Sequence, residues 1–113
     1  MHEYSIVQSL LDQCEHYARE NDATSIQKIT VKIGVLSGVE IHLFETAFHT
    51  FKEGTLCSDA ELIIQEQSLL IYCHECDKEH TLNEIHMRCP ECNSLSVKVI
   101  DGEEMYLMQL EMA

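Results

Sequence analysis

Residues 73–92 read CHECDKEHTLNEIHMRCPEC and interrupt a chain that is otherwise patterned as helices and strands. Cys73 and Cys76 form one Cys-x-x-Cys pair. Cys89 and Cys92 form a second, with twelve residues between the pairs. Two residues between thiolates allow a tight turn to aim both sulfurs at one ion, and two such turns facing each other close a tetrahedral four-cysteine site. Soft ligands in that geometry favour zinc, with iron the competitor. Asp77 and Asn93 follow the two pairs, and both residue types tolerate the left-handed backbone such turns need. Four protein ligands leave no open position for a substrate, so the expected role is structural. An insert of this size is expected to have almost no apolar core, with metal binding supplying most of its folding energy.

On the amino-terminal side, residues 3–20 carry Ile6, Val7, Leu10, Leu11, Cys14, Tyr17 and Ala18 on one helical stripe. KITVKIG (28–34) alternates Ile29, Val31 and Ile33 inward with Lys28, Thr30 and Lys32 outward, the pattern of a half-buried strand. Gly34, Ser37 and Gly38 punctuate a loop before a second helix over roughly 40–53, with Leu43, Phe44, Ala47, Phe48 and Phe51 as its apolar stripe. AELIIQEQ (60–67) and LLIYC (69–73) are strand material. Beyond the insert, EEMYLMQLEM (103–112) is another strand, with Tyr106, Leu110 and Met112 on its inner face. The order predicts an α+β domain: a small mixed three-stranded sheet with two helices on one face, plus an inserted four-cysteine, zinc-ribbon-like module. The expected division is 1–69 with 101–113 for the α+β domain and 70–100 for the zinc-binding module.

Of 113 residues, 20 are acidic and 7 basic, a net charge of −13 that repels phosphate backbones and anionic lipid. Nucleic acid and membrane are therefore not expected partners. Within the insert region Lys78, Arg88 and Lys98 face Glu75, Asp77, Glu79, Glu84 and Glu91, the reverse of a nucleic-acid-binding ribbon. No apolar run approaches a membrane span, and MHEYS lacks a basic n-region, so a cytoplasmic protein is expected. There is no phosphate loop and no nucleophile beside a base. His42, Glu45 and His49 read as a solvated helix face, and the chain is not expected to be an enzyme. Cys14 reads as a small core residue; Cys57 lies in a loop with no assignable partner. His86 reads as solvent-exposed. His74 and His80 stand near enough to the first Cys pair to exchange with a thiolate.

The start of the chain, Met1-His2-Glu3, offers a divalent metal an α-amine, amide nitrogens and the His2 Nδ1. Amine and amide close one chelate ring, and amide and Nδ1 another. Planar nitrogen donors suit Ni(II) and Cu(II) rather than zinc. Such a site needs amine and imidazole unprotonated, so acid should release the ion. Any Met-His start offers this much. Here the helical stripe begins at Ile6, which ties the terminus to the folded body. Glu40 could add a carboxylate if the two helices lie side by side.

The stretches MHEYSIVQSLL (1–11) and KIGVLSGVEIHLFETAF (32–48), with the segment G-x-x-S-x-V-E at 34–40 and the two later Cys pairs, resemble the HypA (HypA/HybF) family of hydrogenase maturation factors over essentially the whole chain. The resemblance implies a nickel metallochaperone. His2 and nearby backbone nitrogens would bind Ni(II) as transferable cargo, helped by Glu3, while Cys73, Cys76, Cys89 and Cys92 hold structural Zn(II). It further implies a HypB-type nickel GTPase as partner and the large subunit of nickel-iron hydrogenase as client, with urease and its accessory protein as a second client for some members. Urease-linked members carry histidines flanking both Cys pairs. Here Asn93 follows the second pair and His80 stands four residues beyond Cys76. A monomer or weak homodimer is expected. The competing reading is a zinc-stabilised protein interaction module without transferable metal.

Overall fold

The structure, a computed structural model, describes the backbone from His2 to Ala113 and the side chains from Glu3 onward. Met1 and the His2 side chain, both assigned to the nickel site from sequence, lie outside the described residues.

Eight elements follow one another: α1 (His2–Glu20), β1 (Ile26–Gly34), α2 (Ile41–Phe51), β2 (Glu61–Gln67), β3 (Leu69–Cys73), β4 (Lys78–Leu82), β5 (Val97–Asp101) and β6 (Met105–Met112). They form two three-stranded sheets, β2-β1-β6 and β4-β3-β5. The fold is α+β: a small mixed sheet with two helices on one face, and an inserted zinc-ribbon-like module. In the first sheet β6 runs against β1, since Ser25 bonds Ala113 at one end while Gly34 bonds Glu104 at the other. β2 runs with β1: Ile26 bonds Leu56 just ahead of β2, and Val35 bonds Gln67 at its end.

Two compact units divide the chain. The first comprises residues 1–31, 39–64 and 107–113; the second comprises 32–38 and 65–106. In the first unit, α1 buries Val7, Leu10, Leu11, Cys14 and Ala18 at the expected helical spacing. Phe44, Ala47 and Phe48 of α2 and Ile26, Ile29 and Val31 of β1 complete this core. Tyr17 and Leu43, assigned to the apolar stripes from sequence, stand exposed instead at 45% and 56%. Each lies at the edge of its stripe, where the apolar arc outruns the surface available to cover it. Thr30, expected to face outward, is buried on β1, the central strand of its sheet.

Tyr106 is a further correction. It is 45% exposed, whereas Met105 and Leu107 are partly covered and Leu110 and Met112 are partly covered on the opposite parity. Two consecutive exposed residues, Met108 and Gln109, break the alternation of β6, so an inner face extrapolated from Leu110 and Met112 is wrong for Tyr106.

The second unit contains two short strands not expected from the sequence. β4 (KEHTL) and β5 (VKVID) both pair antiparallel with β3, with Ile71 opposite His80 on one side and Val99 on the other. Leu69, Ile71 and Leu82 form a buried cluster, with Leu36, Val97 and Val99 packed against it, and of these only Leu82 lies within the 73–92 insert. Gly34 meets Gly102 so closely that a Cβ on Gly34 would fall 2.4 Å from the Gly102 carbonyl carbon. Lys32 Nζ donates to Asp101 Oδ2 at 2.6 Å and stands over the Tyr106 ring.

Candidate metal centre

Both Cys-x-x-Cys segments fold as matching turns. Asp77 N–H donates to the Cys73 carbonyl at 2.9 Å, and Asn93 N–H to the Cys89 carbonyl at 3.0 Å. Each closing residue takes a left-handed backbone, with φ of 56° at Asp77 and 63° at Asn93. Within each turn the second cysteine's N–H points at the first cysteine's sulfur: Cys76 to Cys73 and Cys92 to Cys89, both at 3.4 Å. Tyr72 Oη donates to the Asp77 carboxylate and braces the first turn.

The four thiols converge. Cys73 Sγ lies 3.6 Å from Cys92 Sγ, Cys76 Sγ lies 3.8 Å from Cys89 Sγ, and all four fall within 4.8 Å of one another. Zn–S bonds of about 2.3 Å in a tetrahedron put neighbouring sulfurs about 3.8 Å apart, so the donor set fits a tetrahedral metal such as zinc. Four sulfurs this close cannot all ionise without a cation between them. Burial opposes ionisation of Cys89, but the N–H groups of Cys92 and Glu91 outweigh it and bring the thiol down to about 6. Cys76 is pushed up, chiefly by its hydrogen bond with Cys92. A divalent ion would let every member ionise.

His80 does not stand with the first pair alone. Its Nε2 is 3.5 Å from Cys89 Sγ, and it also falls within a group of possible ligands with Cys76 and Glu91. The antiparallel partnership of β3 and β4, invisible in the spacing, folds it back toward the second pair. His74 meets the Tyr72 ring edge-on. His86 is exposed. Cys57, without an assignable partner in the sequence, meets Cys14 in the core of the first unit, where that hydrogen bond and burial keep Cys14 protonated.

At the other end of the chain, α1 and α2 pack together within the first unit. Glu40 is the N-cap of α2, and its Oε2 accepts from Leu43 N–H at 2.8 Å. Glu40 N–H donates to Glu3 Oε2 at 3.1 Å. Tyr4 meets Phe51 edge-on, with ring centroids 5.3 Å apart. The first turn of α1 is thereby held at two points.

The profile of a family described as "Hydrogenase/urease nickel incorporation, metallochaperone, hypA" matches residues 1–112. The chain belongs to the HypA family. HypA relatives named as hydrogenase maturation factors include that of Aquifex aeolicus, 55% identical over 99% of this chain and 97% of its own length. The Campylobacter jejuni factor is 47% identical over 99% of each chain. The solution structure of the Ni metallochaperone HypA from Helicobacter pylori superposes with a TM-score of 0.71 at 38% identity, covering 97% of this chain and 96% of that one. A second HypA solution structure gives 0.76 at 38% identity, covering 100% and 97%. HypA proteins are metallochaperones, not enzymes, and their sphere is nickel incorporation into hydrogenase and urease.

Proposed function

We propose that this HypA protein carries Ni(II) at its amino terminus and passes it, with a HypB-type GTPase, to the large subunit of nickel-iron hydrogenase. His2 supplies imidazole and amide nitrogen, Met1 the α-amine, and Glu3 and Glu40 support the site. Zn(II) on Cys73, Cys76, Cys89 and Cys92 is structural. The functional division that goes with this reading is a nickel domain, 1–69 with 101–113, and a zinc module, 70–100.

The observation that carries the reading is the hydrogen bond from Glu40 N–H to Glu3, which fixes the start of α1 on the body one residue from His2. Helix geometry supports it as well. The first four N–H groups of a helix have no carbonyl four residues back, so an amide there can be deprotonated toward a metal without removing a helical hydrogen bond. Nickel is cargo here, and a site at a chain end can be stripped stepwise by a partner. The acidic charge of the chain would speed encounter with a basic face on the GTPase. Among the described residues no helix is long and apolar enough to cross a membrane, and the cytoplasm is the proposed compartment. Urease, through its accessory proteins, is a second proposed client, and the protein is proposed to work as a monomer or weak homodimer.

The test is a nickel titration of zinc-loaded protein beginning at Met1, repeated with one residue added ahead of it. The native form should bind about one equivalent, and the extended form should lose that binding with zinc and fold intact. Equal binding by both would instead support an interaction module with no transferable metal.

A further inference from the structure

Three nitrogens reach the Cys89 sulfur. The N–H groups of Glu91 and Cys92 do so at 3.4 Å, and His80 Nε2 does so at 3.5 Å. His80 belongs to a shell that spans the module. β4 places Lys78 and His80 on one face, two residues apart. Lys78 Nζ donates to Glu91 Oε1 at 3.2 Å, and Glu91 Oε2 lies 3.9 Å from His80 Nε2. The His80 side chain is only 15% exposed, so it is an internal part of the centre. The four cysteines are not equally covered. Cys73 and Cys89 are fully buried, Cys76 is partly covered, and Cys92 is exposed.

We propose that His80 is an outer-sphere residue of the metal centre, donating its Nε2–H to the Cys89 thiolate, so that the cage opens by attack at Cys92, the exposed cysteine of the four, and not at Cys89. This rests on the reading that zinc occupies the four-cysteine site. An N–H donor drains charge from a metal-bound thiolate, lowering its nucleophilicity and holding it in place. Access then decides which sulfur reacts, because a buried sulfur cannot align with an electrophile. Cys89 is both screened and buried, whereas Cys92 is an exposed residue. With an alkylating reagent such as iodoacetamide, a Cys92 sulfur lone pair forms the new C–S bond as the C–I bond breaks and iodide leaves. The neutral thioether is a poor ligand, and the ion is released through the remaining three sulfurs. His80 is placed outside the ligand set even though Cys76, His80 and Glu91 stand close enough together to be considered one. The paired sulfur distances already match a complete tetrahedron of thiolates.

The experiment begins with metal analysis of the full chain. Less than one zinc would defeat the zinc reading itself, before the present proposal is reached. With one zinc bound, the protein is treated with substoichiometric iodoacetamide and the adducts are mapped by peptide mass spectrometry. Cys92 should be labelled first and Cys89 last. In His80→Ala, Cys89 labelling should rise several-fold and zinc loss to a chelator should quicken about tenfold. His80→Gln, which keeps an N–H donor, should recover part of both. Cobalt-substituted wild type and His80→Ala should show equal, four-thiolate charge-transfer intensity. Equal labelling of Cys89 and Cys92 in the wild type would overturn the proposal. So would an unchanged pattern in His80→Ala, or a cobalt spectrum that gains thiolate character when His80 is removed, which would make His80 an inner ligand.

Discussion

Glu40 N–H donates to the Glu3 carboxylate at 3.1 Å, and the Glu40 carboxylate in turn caps the Leu43 N–H at 2.8 Å. The two acids therefore form a relay from the first turn of α1 into the first turn of α2. An N-cap acceptor is worth about 1 kcal/mol, so Glu40→Ala should lower stability by roughly that amount in a urea titration. Glu3→Ala should cost about 0.5–1 kcal/mol and weaken nickel binding, while Glu3→Gln, which keeps a carbonyl acceptor, should retain most of both. Nickel binding lost equally in Glu3→Gln and Glu3→Ala would mean that the carboxylate acts as a ligand and not as an anchor.

Asn93 closes the second cysteine turn with φ of 63°, where a β-branched side chain is strained by about 1–2 kcal/mol. Asn93→Val should therefore weaken zinc binding roughly five- to thirty-fold in a chelator competition, and Asn93→Gly should match or exceed the native protein. Equal zinc affinity in the valine and glycine variants would show that the turn does not transmit its backbone strain to the cage.

Lys32 Nζ, at 2.6 Å, holds the Asp101 carboxyl below its ordinary range, assisted by Gly102 N–H at 2.8 Å. A carboxyl depressed in the folded state contributes stability above its unfolded value of about 3.9, and that contribution is lost as pH falls through the lower native value. Melting temperature should thus drop below about pH 4 with a component that Asp101→Asn lacks. The measurement is the difference between wild-type and Asp101→Asn melting temperatures from neutral pH down. A difference that stays constant across the acid limb would remove Asp101 from the account.

What the sequence made legible, and what it hid, follows from the range of the interactions involved. Helix periodicity in Val7, Leu10, Leu11 and Cys14 and alternation in Ile29, Val31 and Ile33 are local signals, and both elements stand where those signals put them. The left-handed Asp77 and Asn93 were legible for the same reason, since a turn is written in its own few residues. β4 and β5 were not. KEHTL carries little apolar pattern, whereas VKVID alternates Val97 and Val99 with Lys98 but is only five residues long; both pair with β3, which lies between them. The Cys14–Cys57 meeting and the position of His80 beside Cys89 depend on chain segments brought together from a distance, so spacing alone could not reveal them. Tyr106 was misplaced because strict alternation was carried through Met108 and Gln109, where β6 departs from it.

Removing one thiolate tests how far the module depends on its metal. Cys76→Ala deletes a sulfur 3.8 Å from Cys89 while leaving the backbone N–H that points at Cys73. Zinc content measured after purification should fall well below one equivalent, and an intact count would refute the ligand set. The apolar cluster argues against complete collapse. Burial of Leu69, Ile71 and Leu82 contributes on the order of 5 kcal/mol before the entropy of ordering is counted, enough to favour residual pairing around β3 but not to hold two open turns. Amide exchange should therefore become fast at residues 74–77 and 90–94 and stay slowest at Leu69 and Ile71, with the helical circular dichroism of α1 and α2 unchanged. Loss of protection throughout β3 would mean that the ion, and not the cluster, organises the whole module.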